Sequence, residues 1–430
     1  MKPKTSYIDA LDPSVFSFID YEGYEDRYPT LSIQEFPSSF YEELRFASRE
    51  LFRIFAKAAT VFQKAPADFA REMDMPENII PYLHTPNPLC SPTWLSRFDF
   101  VLDAAGNLRM VELNADTPCF VIESYYANSV AADFTHRGDP NAGAMDQLRT
   151  FLAKMHRTLS RPVVNLSAQD FLRRPFVFSC FHDYVEDCAT TQFLMHVMQE
   201  ACPYADIRFL SFYDMELDKD GIVLEDGAHA SALYRLHPLE ILIDEMTPEG
   251  EPLGEIFLDL YRAGKFFLFN PPEAIILQNK SFMSLVWALY FAKQCFSAHE
   301  REILARYLAP SYFESDFDAL DDGDYIQKEI WGREGRNVCV LQKRGNHAEM
   351  TEEKLVEGYE DIVCRESKHR MYQDFIQQKR FTHTVDSGMK EGYLTLSCFM
   401  LLGTPSAVGC RFSPEAIAGT EAYFLPLVLS

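Results

Sequence analysis

The sequence of 430 residues predicts an α/β protein made of several lobes. Residues 176–211 read as strand, helix and strand, because the apolar runs FVFSCF and DIRFLSF flank a helical stretch with apolar side chains on successive turns. This order is typical of a β-α-β unit. Residues 39–75 carry apolar side chains at steps of three and four, which predicts a long amphipathic helix. No clean linker interrupts the chain, so one multi-lobed unit is expected.

The remaining elements follow from the same patterns. The N-terminal half is expected to add a hairpin at 97–118 and helices at 118–134 and 143–158. The other expected elements, in chain order, are a hairpin at 218–236, a strand at 273–280, a helix at 281–296, an acidic solvated connection at 313–325, two strands joined by a glycine-bearing loop at 325–342, and strands to the C-terminus. The predicted architecture therefore mixes helices with several short-stranded sheets.

Composition excludes several classes of protein. The formal net charge of −24 argues against a nucleic-acid partner, whose phosphates would be repelled. Such a charge suits a cationic substrate and equally serves solubility, and both interpretations stay open. The longest apolar runs, such as SLVWALYFA, are far shorter than the roughly 20 residues of a membrane span. Ten scattered cysteines and a start without an apolar signal core predict a cytoplasmic location.

The hairpin RFDFVLDAAGNLRMVELNADTP gathers polar groups on one face. If AAGN forms a four-residue loop, position 103 pairs with 108, 99 with 112 and 97 with 114. Side chains alternate between the two faces of a strand, so Asp99 then faces Glu112 and Arg97 faces Asn114. Opposed like charges destabilise a sheet unless a cation relieves them. A shift of register by one residue would send the two acids to opposite faces.

Two interpretations of this polar face remain open at the sequence level. Magnesium takes a few protein oxygens and leaves its other positions to water and phosphate. The set Asp99, Glu112 and Asn114 therefore resembles a magnesium site with Arg97 beside it as a fixed cation. The alternative is a solvated hairpin face on which Arg97 compensates the acids.

The same segment resembles the metal-binding segment of glutathionylspermidine synthase-like proteins, which are of the ATP-grasp type. Further similar stretches follow in the family's order: FHDYVEDCATTQFLM, ALYRLHPLE, PPEAIILQNKSFMSLVW, YIQKEIWGREGRNV, IQQ and VGCRFS. The resemblance runs from about residue 90 to the C-terminus. It implies an ATP-grasp-like fold with the nucleotide between two lobes. The implied lobes are a helical lobe with the metal hairpin at about 1–160, an α/β substrate lobe at about 161–270 and a nucleotide lobe at about 271–430.

The resemblance also implies roles for individual residues. Asp99, Glu112 and Asn114 would be the Mg²⁺ ligands, and Arg97 would contact the reacting acyl phosphate. The nucleotide-binding residues would be Lys280, Lys328, the loop glycines Gly332 and Gly335, Gln377 and Gln378. Arg333 in that loop and Arg411 would complete the positively charged clamp at the reaction centre.

By resemblance the activity is an ATP- and Mg²⁺-dependent ligation of a small-molecule carboxylate to an amine. A carboxylate is a poor electrophile, so it would first receive the γ-phosphoryl group of ATP and react as an acyl phosphate. Glu186 and Asp187 match an acidic pair of the family that lies near the amine. They are also explained as acids that complement the dipole at a helix N-terminus. The acid and the amine themselves are not identified, because Cys119 and Phe120 replace small hydroxylated residues of glutathione-using members.

Other functional classes find less support. Gly264–Lys265 is followed by Phe266, so no Walker motif is formed, and no Rossmann glycine pattern or two-histidine zinc helix occurs. Cys180 and His182 lie on one predicted strand face and make a Cys–His hydrolase a weaker hypothesis. A non-catalytic nucleotide-binding protein with the same fold is the main alternative to a ligase.

Overall fold

The computed structural model describes residues 6–21, 24–160, 174–345, 347–353 and 364–430. The expected lobe boundary near 161 lies outside the described residues. The helices are α1 Ser38–Phe62, α2 Ala67–Glu72, α3 Asn128–Thr135, α4 Ala144–Leu159, α5 Val185–Ala201, α6 Leu239–Leu242, α7 Leu253–Arg262, α8 Ala274–Gln278, α9 Ser281–Phe291 and α10 Ala298–Tyr307. A π-helical turn, Glu123–Ala127, runs directly into α3. Among these described residues, no helix is both long and apolar enough to cross a bilayer.

The strands outnumber the helices, as expected for the C-terminal half. They are β1 Gln34–Phe36, β2 Leu95–Leu102, β3 Leu108–Asn114, β4 Phe176–Cys180, β5 Ile207–Ser211, β6 Glu216–Asp218, β7 Gly221–Val223, β8 Ala232–Arg235, β9 Phe267–Phe269, β10 Ser311–Phe313, β11 Gly323–Glu329, β12 Cys339–Arg344, β13 His347–Glu353, β14 Arg370–Asp374, β15 Phe381–Val385, β16 Gly388–Leu401, β17 Thr404–Ser413, β18 Tyr423–Phe424 and β19 Leu427–Leu429.

Within the described residues these strands form three larger sheets. The order β5-β4-β8-β9 is parallel throughout, which confirms the β-α-β unit and the α/β class. An antiparallel sheet runs β18-β17-β16-β2-β3, with β15 also paired to β16. A second antiparallel sheet runs β10-β14-β11-β12-β13. The β2–β3 hairpin therefore lies beside strands nearly 300 residues later in the chain, since Asp99 pairs with Ser397.

The hairpin register agrees with the prediction where the polar face lies. Arg97 pairs with Asn114 and Asp99 with Glu112, as predicted. The predicted pairing of 103 with 108 is wrong, because a β-bulge follows Asp99 and Leu102 pairs with Leu108 instead. The extra residue, Val111, keeps its carbonyl for the Lys328 ammonium, which donates to it at 3.2 Å. A bulge of this kind commonly redirects groups beside a functional site.

Three other expectations differ from the structure. The helix predicted at 39–75 is two helices, α1 and α2, because Pro66 cannot continue α1 and instead precedes α2. The strand predicted at 273–280 is wrong. That apolar run is the helix α8, and runs this short do not distinguish a strand from a helix by periodicity.

The hairpin predicted at 218–236 is also wrong in its second half. The chain does reverse after β7, but β8 continues into the parallel sheet beside β4. All four residues of β8 are buried, and this burial favours the middle of a sheet covered on both faces.

A buried ion pair joins the end of the hairpin to the parallel sheet. Arg235, on β8, donates to both carboxylate oxygens of Asp116 at 2.6 and 2.9 Å, and both side chains are 1% exposed or less. The Leu239 backbone N–H donates to the same carboxylate. Asn270 adds a second connection, since its amide contacts the backbone of Leu95, Ala115 and Asp116. The polar face of the hairpin is thereby held rigidly against its neighbours.

Candidate active site

Asp99 is the centre of a buried polar cluster on β2. Its side chain is 1% exposed and accepts a two-pronged ion pair from Arg97, with both N–O distances 2.8 Å. Three further donors contact the same carboxylate: Ser397 from β16 at 2.7 Å, Asn114 from β3 at 3.1 Å and Arg411 from β17 at 3.1 Å. Four strands, β2, β3, β16 and β17, therefore supply one network, and Arg97 and Arg411 meet at a single carboxylate.

This cluster agrees with one half of the solvated-face interpretation, the compensation of an acid by Arg97, and contradicts the other half, the exposure of the face to solvent. Arg97 does compensate Asp99, as the alternative to a metal site required. The face is not solvated, however, because Arg97 is only 5% exposed. Charges buried in this way are retained where geometry and hydrogen bonds compensate their desolvation. Arg97 also donates to the Cys119 carbonyl at 2.6 Å, which directs one edge of its guanidinium away from Asp99.

Glu112 lies across the strand pair from Asp99 and contacts a different cation. The Lys280 ammonium donates to Glu112 Oε1 at 2.5 Å and to the Gly332 carbonyl at 2.8 Å. Burial raises the pKa of Glu112, but Lys280 and Lys328 outweigh it and lower that pKa to about 2. Burial, with Lys280 nearby, lowers the pKa of Lys328 to about 8. Two predicted phosphate-binding lysines thus flank an ionised carboxylate.

The loop 330–338 between β11 and β12 meets this cluster at Gly332, whose carbonyl accepts the hydrogen bond from Lys280. Gly335 has a φ of +73°, a conformation that favours glycine. At Gly332 a side chain would press on Glu329, since an added Cβ would be 3.0 Å from the Glu329 Cβ. Burial lowers the pKa of Arg333, but the nearby groups Glu240, Cys119 and Asp187 outweigh burial and raise it. The loop therefore reaches from the lysines towards the N-terminus of α5.

The predicted acidic pair at the start of α5 lies near the same centre. Cys119, whose carbonyl contacts Arg97, donates its thiol to Asp187 at 3.7 Å. Glu186 accepts a hydrogen bond from the Tyr21 hydroxyl at 3.0 Å. Burial and then Asp187 raise the pKa of Glu186 to about 7. These carboxylates are therefore not only helix-terminal acids but also part of a half-buried acidic cluster.

Glu123 was not predicted as a site residue. It lies in the π-helical turn, is 0% exposed and accepts a hydrogen bond from the Tyr28 hydroxyl to Oε1 at 2.9 Å. Burial, followed by the charge of Glu186, raises the pKa of Glu123 to about 8. The signal available in the sequence was a single acid inside the apolar run FVIESYYA. A charge at such a position is buried with the helix face that carries it.

The raised pKa of Glu123 predicts a pH-dependent stability. Between its ordinary value near 4.5 and about 8, the folded chain binds more protons at this group than the unfolded chain does. The contribution of Glu123 to the free energy of unfolding therefore falls as the pH rises through that interval. We therefore compare the free energy of unfolding of Glu123→Gln with that of the wild type at two pH values. The difference, variant minus wild type, should be more positive at pH 8 than at pH 5 by about 1 kcal/mol or more. Urea unfolding of both proteins at the two pH values measures this difference, and an unchanged difference would contradict it.

Gln377 and Gln378 lie apart from the charged cluster. They line a cleft of about 640 Å³ together with Asp324 at the start of β11 and Ala416. Gln378 also bridges to Asp103 beyond the end of β2, so the cleft borders the hairpin. Asp324 and Lys328 are four residues apart on one strand face, which places the cleft and Lys328 along the same edge of β11. Apolar side chains nearby, those of Ile326, Val338, Val340, Phe375 and Ile417, form a small cluster of their own.

The oxygen atoms of the three proposed magnesium ligands are chemically suitable for the ion, but some of them already accept hydrogen bonds. The second oxygen of Glu112 and the amide oxygen of Asn114 accept no hydrogen bond from another described residue. Asp99, by contrast, already accepts five hydrogen bonds, so it would have to exchange an arginine contact for a metal bond. In the described part of the chain no three His, Cys, Asp or Glu side chains form a metal-binding group. The set fits magnesium, which needs few protein ligands.

Comparison with known proteins identifies the family. The family model described as "Glutathionylspermidine synthase preATP-grasp" matches residues 9–430, so the match extends well beyond the motifs that begin near residue 90. A protein of Haemophilus influenzae named "Putative acid--amine ligase" is 21% identical over 347 residues, which cover 78% of this chain and 74% of that protein. The resemblance inferred from the sequence is confirmed, and the chain belongs to the glutathionylspermidine synthase preATP-grasp family.

Proposed function

We propose that the protein is an ATP- and Mg²⁺-dependent acid–amine ligase that forms ADP and joins a small carboxylate to an amine through an acyl phosphate. The observation that carries the proposal is the position of Lys280, which contacts both Glu112 on the hairpin and the Gly332 carbonyl in the glycine-bearing loop. Arg97 and Arg411 meet at Asp99 on the same sheet. Phosphoryl transfer requires cations of this kind to be in place before the reaction begins.

The nucleotide would lie along β11, with the base in the cleft beside Gln377 and Gln378 and the phosphates towards Lys328 and Lys280. The apolar side chains of Ile326, Val340 and Ile417 offer a surface for a flat base at that end. Lys328 and Lys280 offer two ammonium groups at the other. This arrangement supports an ATP-grasp-like fold, with the nucleotide lobe at about 271–430 as the sequence suggests.

Asp99, Glu112 and Asn114 would hold Mg²⁺, which neutralises charge on the phosphate oxygens when bound. Lys280 would then turn from Glu112 to phosphate, and Arg97 from Asp99 to the acyl phosphate. Arg333 lies on the loop between β11 and β12, and Gly332 and Gly335 allow that loop to approach closely. The loop would exclude water, which protects an acyl phosphate from hydrolysis. Arg411 would stabilise the charge that develops on the reacting carboxylate.

Release of ADP tests the proposal. The purified protein is incubated with ATP, Mg²⁺ and a panel of small carboxylates, each with hydroxylamine as a general nucleophile, and ADP and hydroxamate are measured. Formation of both with at least one acid is the expected result. If no acid supports ADP release while ATP still stabilises the protein against heat, the chain is the non-catalytic nucleotide-binding protein instead.

Lys328→Met tests the nucleotide position separately from turnover. We expect the dissociation constant for Mg·ATP to rise about tenfold or more, since one ammonium–phosphate contact is lost. Titration calorimetry measures it. Lys265→Met removes a half-exposed lysine whose partner is Asp220, and it serves as the control with unchanged affinity. Equal ATP affinity in Lys328→Met and the wild type would remove Lys328 from the nucleotide site.

A further inference from the structure

Glu123 has an environment that its place in the fold does not explain. It is 0% exposed, and its Oε2 atom has no hydrogen-bond partner among the described residues. An ionised carboxylate buried without a full set of partners is costly, so such a group calls for a ligand or a proton. The Tyr28 hydroxyl satisfies only Oε1. Burial keeps the pKa of Tyr28 well above its ordinary value, so this hydroxyl stays a donor.

The surroundings of Glu123 are acidic on one side and basic on the other. Glu186 from α5 is the strongest charged influence on it, and Glu186 in turn neighbours Asp187. Arg97 from β2 acts on Glu123 from the hairpin side, and Arg411 from β17 acts on Tyr28 and Glu186. Tyr21 and Tyr28, both from the N-terminal segment, contact Glu186 and Glu123 respectively. Glu186 and Glu123 thus each accept a hydrogen bond from a tyrosine, and both feel the charge of an arginine of the reaction centre.

We propose that Glu123 binds the substrate amine through its unpartnered oxygen and accepts a proton from it, with Tyr21 and Tyr28 forming the wall of that amine site. This inference rests on the proposed ligase function and deepens it. A primary ammonium has only donors to offer, and the Oε2 atom of Glu123 is an acceptor without a hydrogen-bond partner among the described residues. Arg97 donates to the Cys119 carbonyl, and the Cys119 thiol donates to Asp187, so the acids lie beside the arginine that would contact the acyl phosphate.

The chemical step balances in atoms and charge. The ammonium R–NH₃⁺ gives one proton to the carboxylate form of Glu123 and becomes a nucleophilic amine. Its nitrogen lone pair forms the C–N bond, the C–O bond to phosphate breaks with its electron pair on the phosphate oxygen, and the second proton leaves with phosphate. Glu123 then returns its proton to solvent when the product departs. A buried carboxyl whose pKa lies near the working pH is suited to this transfer.

Glu123→Gln keeps the shape of the side chain and removes its ability to ionise and to accept a proton. The probes are 1,4-diaminobutane, a dication, and 1,4-butanediol, its neutral counterpart, with binding measured by titration calorimetry on the full chain at pH 8.5, where Glu123 is largely ionised. We expect the wild type to bind the diamine and not the diol, and Glu123→Gln to bind the diamine about tenfold more weakly or worse. Glu273→Gln is the matched control. Glu273 is also buried, its Oε2 also has no hydrogen-bond partner among the described ranges, and its pKa is also raised, to about 7, but its side-chain partner is Asn87.

Release of ADP with hydroxylamine separates this inference from the ligase proposal, because hydroxylamine is uncharged at pH 7 and does not need an acidic site. Glu273→Gln, the control outside the amine site, should keep the hydroxylamine-dependent ADP release of the wild type. Equal binding of diamine by Glu123→Gln and the wild type, or no preference of the wild type for diamine over diol, overturns the amine site even if ADP is released. Loss of diamine binding in Glu123→Gln alone, without ADP release from any protein, supports the amine site and overturns the ligase.

Discussion

Glu112→Gln is expected to reduce ADP release about a hundredfold or more while leaving the fold intact. Glu112 is the partner of Lys280 at 2.5 Å, and its pKa of about 2 keeps it ionised at any working pH. Glutamine has the same shape but no charge, so it neither holds Lys280 in the same way nor contributes charge to a divalent ion. Removal of one preorganised electrostatic contact of this kind costs about 10²–10³ in rate. Steady-state ADP release under saturating ATP measures the effect.

The control for this variant is another lysine–glutamate pair. Glu300 pairs with Lys57 at 3.0 Å on the surface, and Glu300→Gln should leave ADP release unchanged. Circular dichroism and the urea midpoint show whether Glu112→Gln folds normally. Wild-type turnover in a folded Glu112→Gln protein would exclude Glu112 from the site, and with it the proposed metal position.

Asp116→Asn is expected to cause the largest loss of stability. Its carboxylate accepts two hydrogen bonds from Arg235 and one from the Leu239 backbone, and both charged side chains are almost fully buried. Asparagine leaves the guanidinium of Arg235 buried without a counter-charge. Breaking a buried ion pair by removing one partner costs about 3–5 kcal/mol. Urea unfolding should show this as a lower midpoint with an unchanged slope.

Asp226→Asn provides the comparison. Asp226 pairs with Arg208 at 2.7 Å, but its side chain is 55% exposed, and exposed pairs contribute about 1 kcal/mol or less. A loss of the same small size in Asp116→Asn would mean that the connection between the hairpin and the parallel sheet does not depend on charge. Turnover is also expected to fall in Asp116→Asn, because the hairpin that carries Asp99 and Glu112 loses its support.

The local part of the structure was predictable because its causes are local. Alternation along two short strands was enough to pair Asp99 with Glu112 and Arg97 with Asn114. Steps of three and four identified the helices, apart from the break before Pro66. Short apolar runs were the failure, since AIIL in α8 fits a buried strand as well as a buried helix. The bulge at Val111 could not be predicted either, because it depends on the neighbours of β3 and not on the alternation of side chains along β3.

The order of motifs along the chain was sufficient, by itself, to assign the family, and one strand pair was sufficient to place two carboxylates face to face. Only the tertiary structure decided which cations meet them. Lys280 reaches Glu112 across 168 residues, and Ser397 and Arg411 reach Asp99 across 298 and 312. The same packing buried Glu123 within the influence of Glu186 and left its Oε2 atom without a partner in the part of the chain that the structure describes. Periodicity carries information over a few turns or strand residues, whereas desolvation and long-range charge pairing depend on which distant segments pack together.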